Sequence, residues 1–404
     1  MEILLLIAGL LLFVSLVVLH EFGHFIMARR NGVDVEEFGI GFPPKILTFF
    51  RDNKGTAYTL NLLPLGGFVR LKGEHDADRE PGTFGAASFL AKTKIILAGV
   101  IMNLITAWVM LTILAATGIP RLPLPNGENQ FTIASDTKVT RSSIFVGYIE
   151  SDGPADQAGL RNGDELKRIY AHYGDEEADS REQTEHNEDG HNDENVGVIE
   201  SSSDVRTTVE DILQDGAPEV HIEFVRDGEV QTIEATPRTL QEVADSELTD
   251  EPKGYLGIQP YDYVVQKSTW SSPVVAAGLI AQYSKLTYQA LGGSIASLFQ
   301  GKGGEASENV SGPVGIFVVL RDGTALGFGY IFLIIALLSL TLAIMNTLPI
   351  PALDGGKLFV MGLFRLMKKP LTQRLEERIH GTGFMLLLVL FAVITVVDLR
   401  RFIF

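Results

Sequence analysis

Ile3-Leu4-Leu5-Leu6-Ile7-Ala8-Gly9-Leu10-Leu11-Leu12-Phe13-Val14-Ser15-Leu16-Val17-Val18-Leu19 runs without a charge into His20-Glu21-Phe22-Gly23-His24. On a helix the two histidines fall on one face, where both imidazoles reach a single Zn2+, and Glu21 projects beside them as a candidate general base for water activation. The apolar approach sets this chemistry at membrane depth. Two imidazoles and a carboxylate are costly inside an apolar helix, and groups of that kind mark functional sites by default. No basic residue precedes the run and no small-residue cleavage pattern follows it, so it is expected to be retained and not removed as a leader.

Three further apolar stretches, Ile95–Thr117, Ala325–Leu348 and Thr382–Val397, make a polytopic α-helical membrane protein with four transmembrane helices the expected class. Orientation follows from the loops. Arg29, Arg30, Lys45, Arg51, Lys54, Arg70, Lys72, Arg79, Lys92 and Lys94 lie between the first two spans, and Arg365, Lys368, Lys369, Arg374 and Arg378 between the last two. The positive-inside rule makes both connections cytoplasmic, with the termini and residues 119–324 outside and the histidines in the cytoplasmic half of the membrane. Arg400 and Arg401 run against the rule on a short tail.

A tetrahedral site with one open position needs a third protein ligand. Asn346-Thr347-Leu348-Pro349-Ile350-Pro351-Ala352-Leu353-Asp354-Gly355-Gly356 ends the third span on the side of His20 and His24, and Asp354 is its carboxylate. Pro349 and Pro351 disfavour a continuous helix, while the glycine pair permits close backbone approach, so the segment is expected to be a broken helix buried in protein.

Net charge is −17, much of it local: residues 171–195 hold ten Asp or Glu against Arg181 alone, with His172, His186 and His191 interspersed. Such a run cannot bury enough surface to offset its ordering entropy and reads as a solvated, disordered loop. The acidic balance gives no basis for nucleic-acid binding, and the absence of cysteine excludes disulfides and thiolate ligands. Around the loop the pattern is that of a folded α+β domain. Ser151–Ala155, Ala158-Gly159-Leu160 and Gly163–Leu166 read as a turn, a short helix and a turn before a strand. Val205, Val209, Ile212 and Leu213 are spaced for a helix behind Ser203 and Asp204 as caps, and Val220, Ile222 and Phe224 alternate before an Asp227-Gly228 turn into Val230–Ala235. This pattern resembles a PDZ domain of the bacterial protease type, with the acidic run inserted between a strand and a helix.

The expected organisation is a membrane region at 1–127, an extracytoplasmic PDZ domain at 128–240 with an insertion at about 171–204, a linker and interfacial helix at 241–324, and a second membrane region at 325–404. Residues Val274–Phe299 carry Gln282, Lys285 and Gln289 and read as the interfacial helix, not a fifth span. Ala57–Lys72 reads as a strand pair too short to span, a membrane-associated re-entrant hairpin whose edge can hold an unwound substrate; the alternative is an amphipathic hairpin lying on the membrane surface.

The order and spacing of His20–His24, Gly66-Gly67-Phe68-Val69, Ala98-Gly99 with Asn103, the PDZ section, Ser311–Gly315 and Asn346–Gly356 resemble the site-2 proteases, intramembrane zinc metalloproteases, in particular the bacterial regulator of sigma-E protease group. The resemblance implies that His20, His24 and Asp354 hold zinc and that Glu21 activates water. It further implies that Asn346, with Gly66, Gly67 and Phe68, meets the substrate backbone. Thr341 stands where another Asn is expected in this group. Asn103, in mid-span, either bonds to the Asp354 loop or pins two helices together. The implied activity is regulated intramembrane proteolysis of single-span proteins, of the anti-sigma factor or signal-peptide-remnant type, in a bacterial plasma (inner) membrane, with a peptide or protein docking at the PDZ domain. Two other classes compete: a catalytically inactive zinc-containing membrane PDZ scaffold, against which Glu21 argues, and a zinc transporter, which needs several intramembrane ligand pairs along a path.

Overall fold

The computed structural model describes residues 2–122, 124–125, 128–171, 196–248, 252–300 and 312–402. In chain order its elements are α1 (Glu2–Arg30), β1 (Val35–Arg51), β2 (Ala57–Leu71), α2 (Phe89–Thr117), β3 (Lys138–Ile149), α3 (Pro154–Gln157), β4 (Glu165–Tyr170), β5 (Val196–Val198) and α4 (Ser202–Gln214). They continue with β6 (Val220–Arg226), β7 (Glu229–Ala235), α5 (Leu240–Ser246), β8 (Ile258–Lys267), α6 (Ser272–Phe299), α7 (Pro313–Gly323), α8 (Phe328–Met345), α9 (Asp354–Leu366) and α10 (Gln373–Phe402). Two compact units result, Met1–Thr137 with Lys267–Phe404, and Lys138–Gln266.

Among the described residues of the first unit, four helices are long and apolar enough to cross a membrane: Ile3–Arg30, Phe89–Thr117, Phe328–Met345 and Gln373–Arg401. They are the four stretches read from hydropathy. Ser88 caps α2 by accepting the Ala91 N–H, and Gly118 ends it at φ 143°. Leu111, Leu114 and Ala115 of α2 pack with Leu16 of α1, with Val275, Ala276 and Leu279 of α6, and with Ile331, Ile335 and Ala336 of α8. The helix α6 thus contributes to the helical core through one face, and it is not among the four candidate spans.

The hairpin differs from its expected form. Ala57–Leu71 does not fold on itself: Val35–Ile40 of β1 lies between the two halves of β2, pairing with Gly67–Leu71 on one side and Ala57–Leu60 on the other, and Lys45–Arg51 extends the sheet beyond Ala57–Asn61. At the turn between the strands, Asp52 accepts the N–H groups of Lys54 and Thr56 and returns Lys45–Arg51 along Ala57–Asn61. Phe42, Ile46, Leu47, Phe49 and Phe50 of β1 and Leu62 and Leu63 of β2 remain exposed.

The second unit is an antiparallel-paired sheet in the order β8-β3-β4-β6-β7, with β5 also on β4. Val220, Ile222 and Phe224 are fully buried, as their alternation required. Asp227 and Gly228 both take positive φ, the turn geometry that matches strand twist in a two-residue hairpin. The boundaries move. The unit closes at Gln266, not 240, because Ile258–Lys267 supplies a strand of the sheet. The insertion is shorter than 171–204, since Val196–Val198 pairs with β4, and α4 is capped at Ser201 with Asp204 in its first turn. Apart from Ala171, the acidic run lies outside the described residues, as does Ser311.

Both strands of chain that leave the first unit are clamped at their roots. Asp136 accepts the N–H groups of Thr269 and Ser271 together with both hydroxyls, and Thr137 Oγ1 lies 2.9 Å from Ser268 Oγ. The Ser271 and Thr269 hydroxyls hold the Asp136 carboxyl well below the usual carboxylate range, so the clamp stays ionised.

Candidate metal centre

The last three turns of α1 carry His20 and His24 one turn apart, both buried. The interruption of the helix after α8 brings Asp354 to meet them at the first position of α9. The loop between is tightly folded: a β-carbon on Gly355 would stand 2.5 Å from Leu348 O, and one on Gly356 1.9 Å from Ile350 O. Only glycine fits at either place. Asn346 O accepts the Gly355 N–H at 2.8 Å, and Ala352, at φ 82°, donates its N–H to His380 Nδ1 on α10. The broken helix read from Pro349 and Pro351 is what the structure contains.

His20 Nε2 and His24 Nε2 lie 3.1 Å apart, and Asp354 Oδ2 lies 3.1 Å from the first and 3.2 Å from the second. Ligands about 2.0–2.1 Å from a tetrahedral zinc are spaced about 3.3 Å from one another, so the three atoms fit one ion. Asp354 Oδ2 is buried and makes no hydrogen bond of acceptable geometry among the described residues, as expected of an atom aimed at a cation. The same three residues are the one group of metal-ligating side chains close enough to share an ion among the described residues.

The outer contacts set the tautomers. His24 Nδ1 lies 2.8 Å from Ile95 O, which can only accept, so Nδ1 carries the proton and Nε2 presents its lone pair. Asn103 Nδ2 lies 3.2 Å from His20 Nδ1, while Asn103 Oδ1 is buried without a partner among the described residues. Rotation of that amide by half a turn lets Oδ1 accept from His20 Nδ1–H. Ser339 Oγ donates to Asn103 O at 2.8 Å, joining α8 to α2 at the same level. Asn103 therefore meets His20 and not the Asp354 loop, and its main chain links the helices.

Glu21 accepts the Val69 N–H through Oε2 at 3.1 Å, which sets the outer edge of β2 beside the two imidazoles. Gly66 and Gly67 face α1 there: β-carbons would lie 3.1 Å from Val17 and 3.5 Å from Val18, and the one on Gly67 would also stand 3.0 Å from Gly39 O of β1. Phe68 pairs with Gly39 on the opposite edge of the strand. Asn346 caps α8, with its carbonyl engaged by Gly355. Thr341 is exposed on α8 and is not brought to the metal-ligating side chains by any hydrogen bond among the described residues. Sequence reasoning assigned no role to Gly99, whose backbone faces both imidazoles, or to the Ile95 carbonyl and the Val69 N–H. Gly99 belonged to a quoted motif, but the two backbone groups leave no mark in residue type.

The model of Peptidase family M50 matches residues 8–390. A provisionally named zinc metalloprotease of Clostridium perfringens is 28% identical over 396 residues, 97% of this chain and 98% of its own. Zinc metalloprotease RasP of Oceanobacillus iheyensis is 28% identical over 461 aligned positions, covering 98% of each chain. A provisionally named Staphylococcus aureus zinc metalloprotease is 27% identical over 460, again 98% of each.

Proposed function

The chain belongs to peptidase family M50, the site-2 proteases, and from that membership we propose that it cleaves single-span membrane proteins within the bilayer. It is a zinc metalloendopeptidase in a polytopic membrane protein. The observation that carries the reading is the spacing of His20, His24 and Asp354, which would hold the ion, with Glu21 one residue from the first ligand. Bound zinc supplies Lewis acidity, polarising a peptide carbonyl and acidifying water. Glu21 takes the proton. Its Oε2 is fixed by the Val69 N–H, so Oε1 is the oxygen left to accept a proton from water and pass it to the leaving amine.

A helical substrate hides its peptide bonds and must unwind before hydrolysis. The outer edge of β2 gives an extended segment a strand to pair with, and a cavity of about 460 Å3 runs along Phe68–Leu71. The exposed apolar side chains of β1 would seat this sheet in lipid as a re-entrant hairpin. We assign Asn346 to the substrate backbone, together with Gly66, Gly67 and Phe68 of the strand that receives it.

The second unit is proposed as an extracytoplasmic PDZ domain that docks a peptide or protein segment. In support, a cavity of about 220 Å3 lies between Val205, Arg206 and Val209 of α4 and Tyr255, Leu256 and Ile258. The setting proposed is a bacterial plasma membrane, with the metal site toward the cytoplasm and anti-sigma factors or signal-peptide remnants as the substrate type.

The test is cleavage of a tagged single-span substrate by purified protein. Glu21→Gln is expected to abolish cleavage with zinc content near wild type, whereas Asp354→Asn should lose zinc as well. Full activity in Glu21→Gln would falsify the mechanism.

A further inference from the structure

We propose that a pocket between the first turn of α2 and the last turn of α9 binds the phosphate-bearing headgroup of an anionic phospholipid. The pocket has a volume of about 420 Å3 and is lined by Arg79, Lys92, Arg365 and Lys369 against one carboxylate, Asp76. Lys92 is buried and ion-paired with Asp76, so those two charges offset each other. Arg79 spends Nη1 on the carbonyls of Asp76, Asp78 and Gly85. The Arg365 guanidinium lies 4.9 Å from the centre of the Phe89 ring. Neither Arg79, Arg365 nor Lys369 has an ion pair with a carboxylate among the described residues, which leaves three uncompensated positive charges around one cavity.

Place decides what anion they meet. The helix α2 is a candidate span, and its first turn, capped by Ser88, must emerge at one membrane interface, the level of lipid phosphates. Beside the cations, Leu90 is 63% and Leu366 81% exposed, and Phe359 and Leu363 are also exposed. A soluble anion has no use for these side chains. An acyl chain does.

The consequence reaches the metal site through α9, which begins at Asp354 and ends one residue after Arg365. Eleven residues of helix separate the two, about 17 Å at 1.5 Å per residue. A headgroup held by Arg365 and Lys369 braces the far end of the helix whose first residue would be the third zinc ligand.

The test uses full-length protein in detergent, with phosphatidylglycerol or phosphatidylcholine titrated in and bound lipid counted by native mass spectrometry. Phosphatidylglycerol should be retained about tenfold more than phosphatidylcholine, and Arg365→Gln with Lys369→Gln should reduce it to the phosphatidylcholine level. Zinc per chain and the Tm without added lipid should match wild type, which separates loss of the site from misfolding. Equal retention of the two lipids, or undiminished retention by the double variant, overturns the proposal. So does inorganic phosphate alone, if it raises the Tm as far as phosphatidylglycerol does, because the anion would then be a soluble one. None of these readouts requires proteolysis, so they stand apart from the assignment of activity.

Discussion

Gly99 lies against His24 so closely that a β-carbon on Gly99 would stand 2.4 Å from His24 Nε2, and it would also stand 2.7 Å from His20 Nε2. Gly23 makes the reciprocal approach, with its own β-carbon position 2.4 Å from Ala98 O. The two helices therefore touch by backbone at the metal site, as small residues allow in membranes. Gly99→Ala should displace an imidazole, with zinc content falling below half and cleavage by tenfold or more on the scale of lost metal-site order. Helix propensity acts in the opposite direction, favouring alanine by about 0.8–1 kcal/mol. A variant that is more stable yet retains full zinc and activity would show that the imidazoles tolerate a side chain there.

Asn103 orients His20, and the sense of that contact can be tested. The amide is required as an acceptor toward His20 Nδ1–H, so Asn103→Asp should keep zinc close to wild type, whereas Asn103→Leu, which fills the same space without an acceptor, should weaken it about 10–100-fold. The Ser339 contact is to main chain and survives both changes. Zinc titration of the two purified variants decides the matter. Equal affinities would reduce Asn103 to a packing role.

Asp398, buried near the end of α10, accepts the N–H groups of Gly312 and Gly315 at 2.9 and 2.8 Å and so caps α7. Removing the carboxylate strands two buried donors, each costing about 1–3 kcal/mol. Asp398→Ala should lower the thermal midpoint in detergent and expose the start of α7 to protease, without loss of zinc. An unchanged midpoint would mean that water or lipid replaces the cap.

What the sequence made legible was what residue type and short spacing determine. Ile3–Leu19 with His20–His24, the carboxylate at Asp354, the broken helix around Pro349 and Pro351, and the Asp227-Gly228 turn all depend on neighbours within a few residues. What it did not reveal depended on distant partners. Val35–Ile40 as the central segment of the hairpin sheet, Ile258–Lys267 as a strand of the second unit, and Gly99 as the floor under two imidazoles are set by packing across tens to hundreds of positions. Periodicity carries no record of those pairings. The Val69 N–H that fixes Glu21 is a backbone group, present at every position but proline, and only the fold gives it a role.

Among the described residues the inserted unit contributes no metal-ligating group, and the first unit joins the two ends of the gap on its own. Thr137 Oγ1 is 2.9 Å from Ser268 Oγ, and Asp136 clamps Thr269 and Ser271. Two or three linker residues, at about 3.3–3.6 Å each, bridge such a gap. Replacing residues 138–267 with Gly-Ser-Gly should therefore leave a folded protein with wild-type zinc that cuts short, pretrimmed substrates at a rate within about threefold of wild type, since the chemistry belongs to a site separate from the excised fold. If the excised unit restrains access, as a docking domain that selects substrates would, the shortened enzyme should also begin to cut substrates that still carry their external domains. Full-length and pretrimmed substrate, presented to both forms in the same membranes, separate the outcomes. Retained zinc with cleavage of neither substrate would show that the unit delivers substrates and does not exclude them.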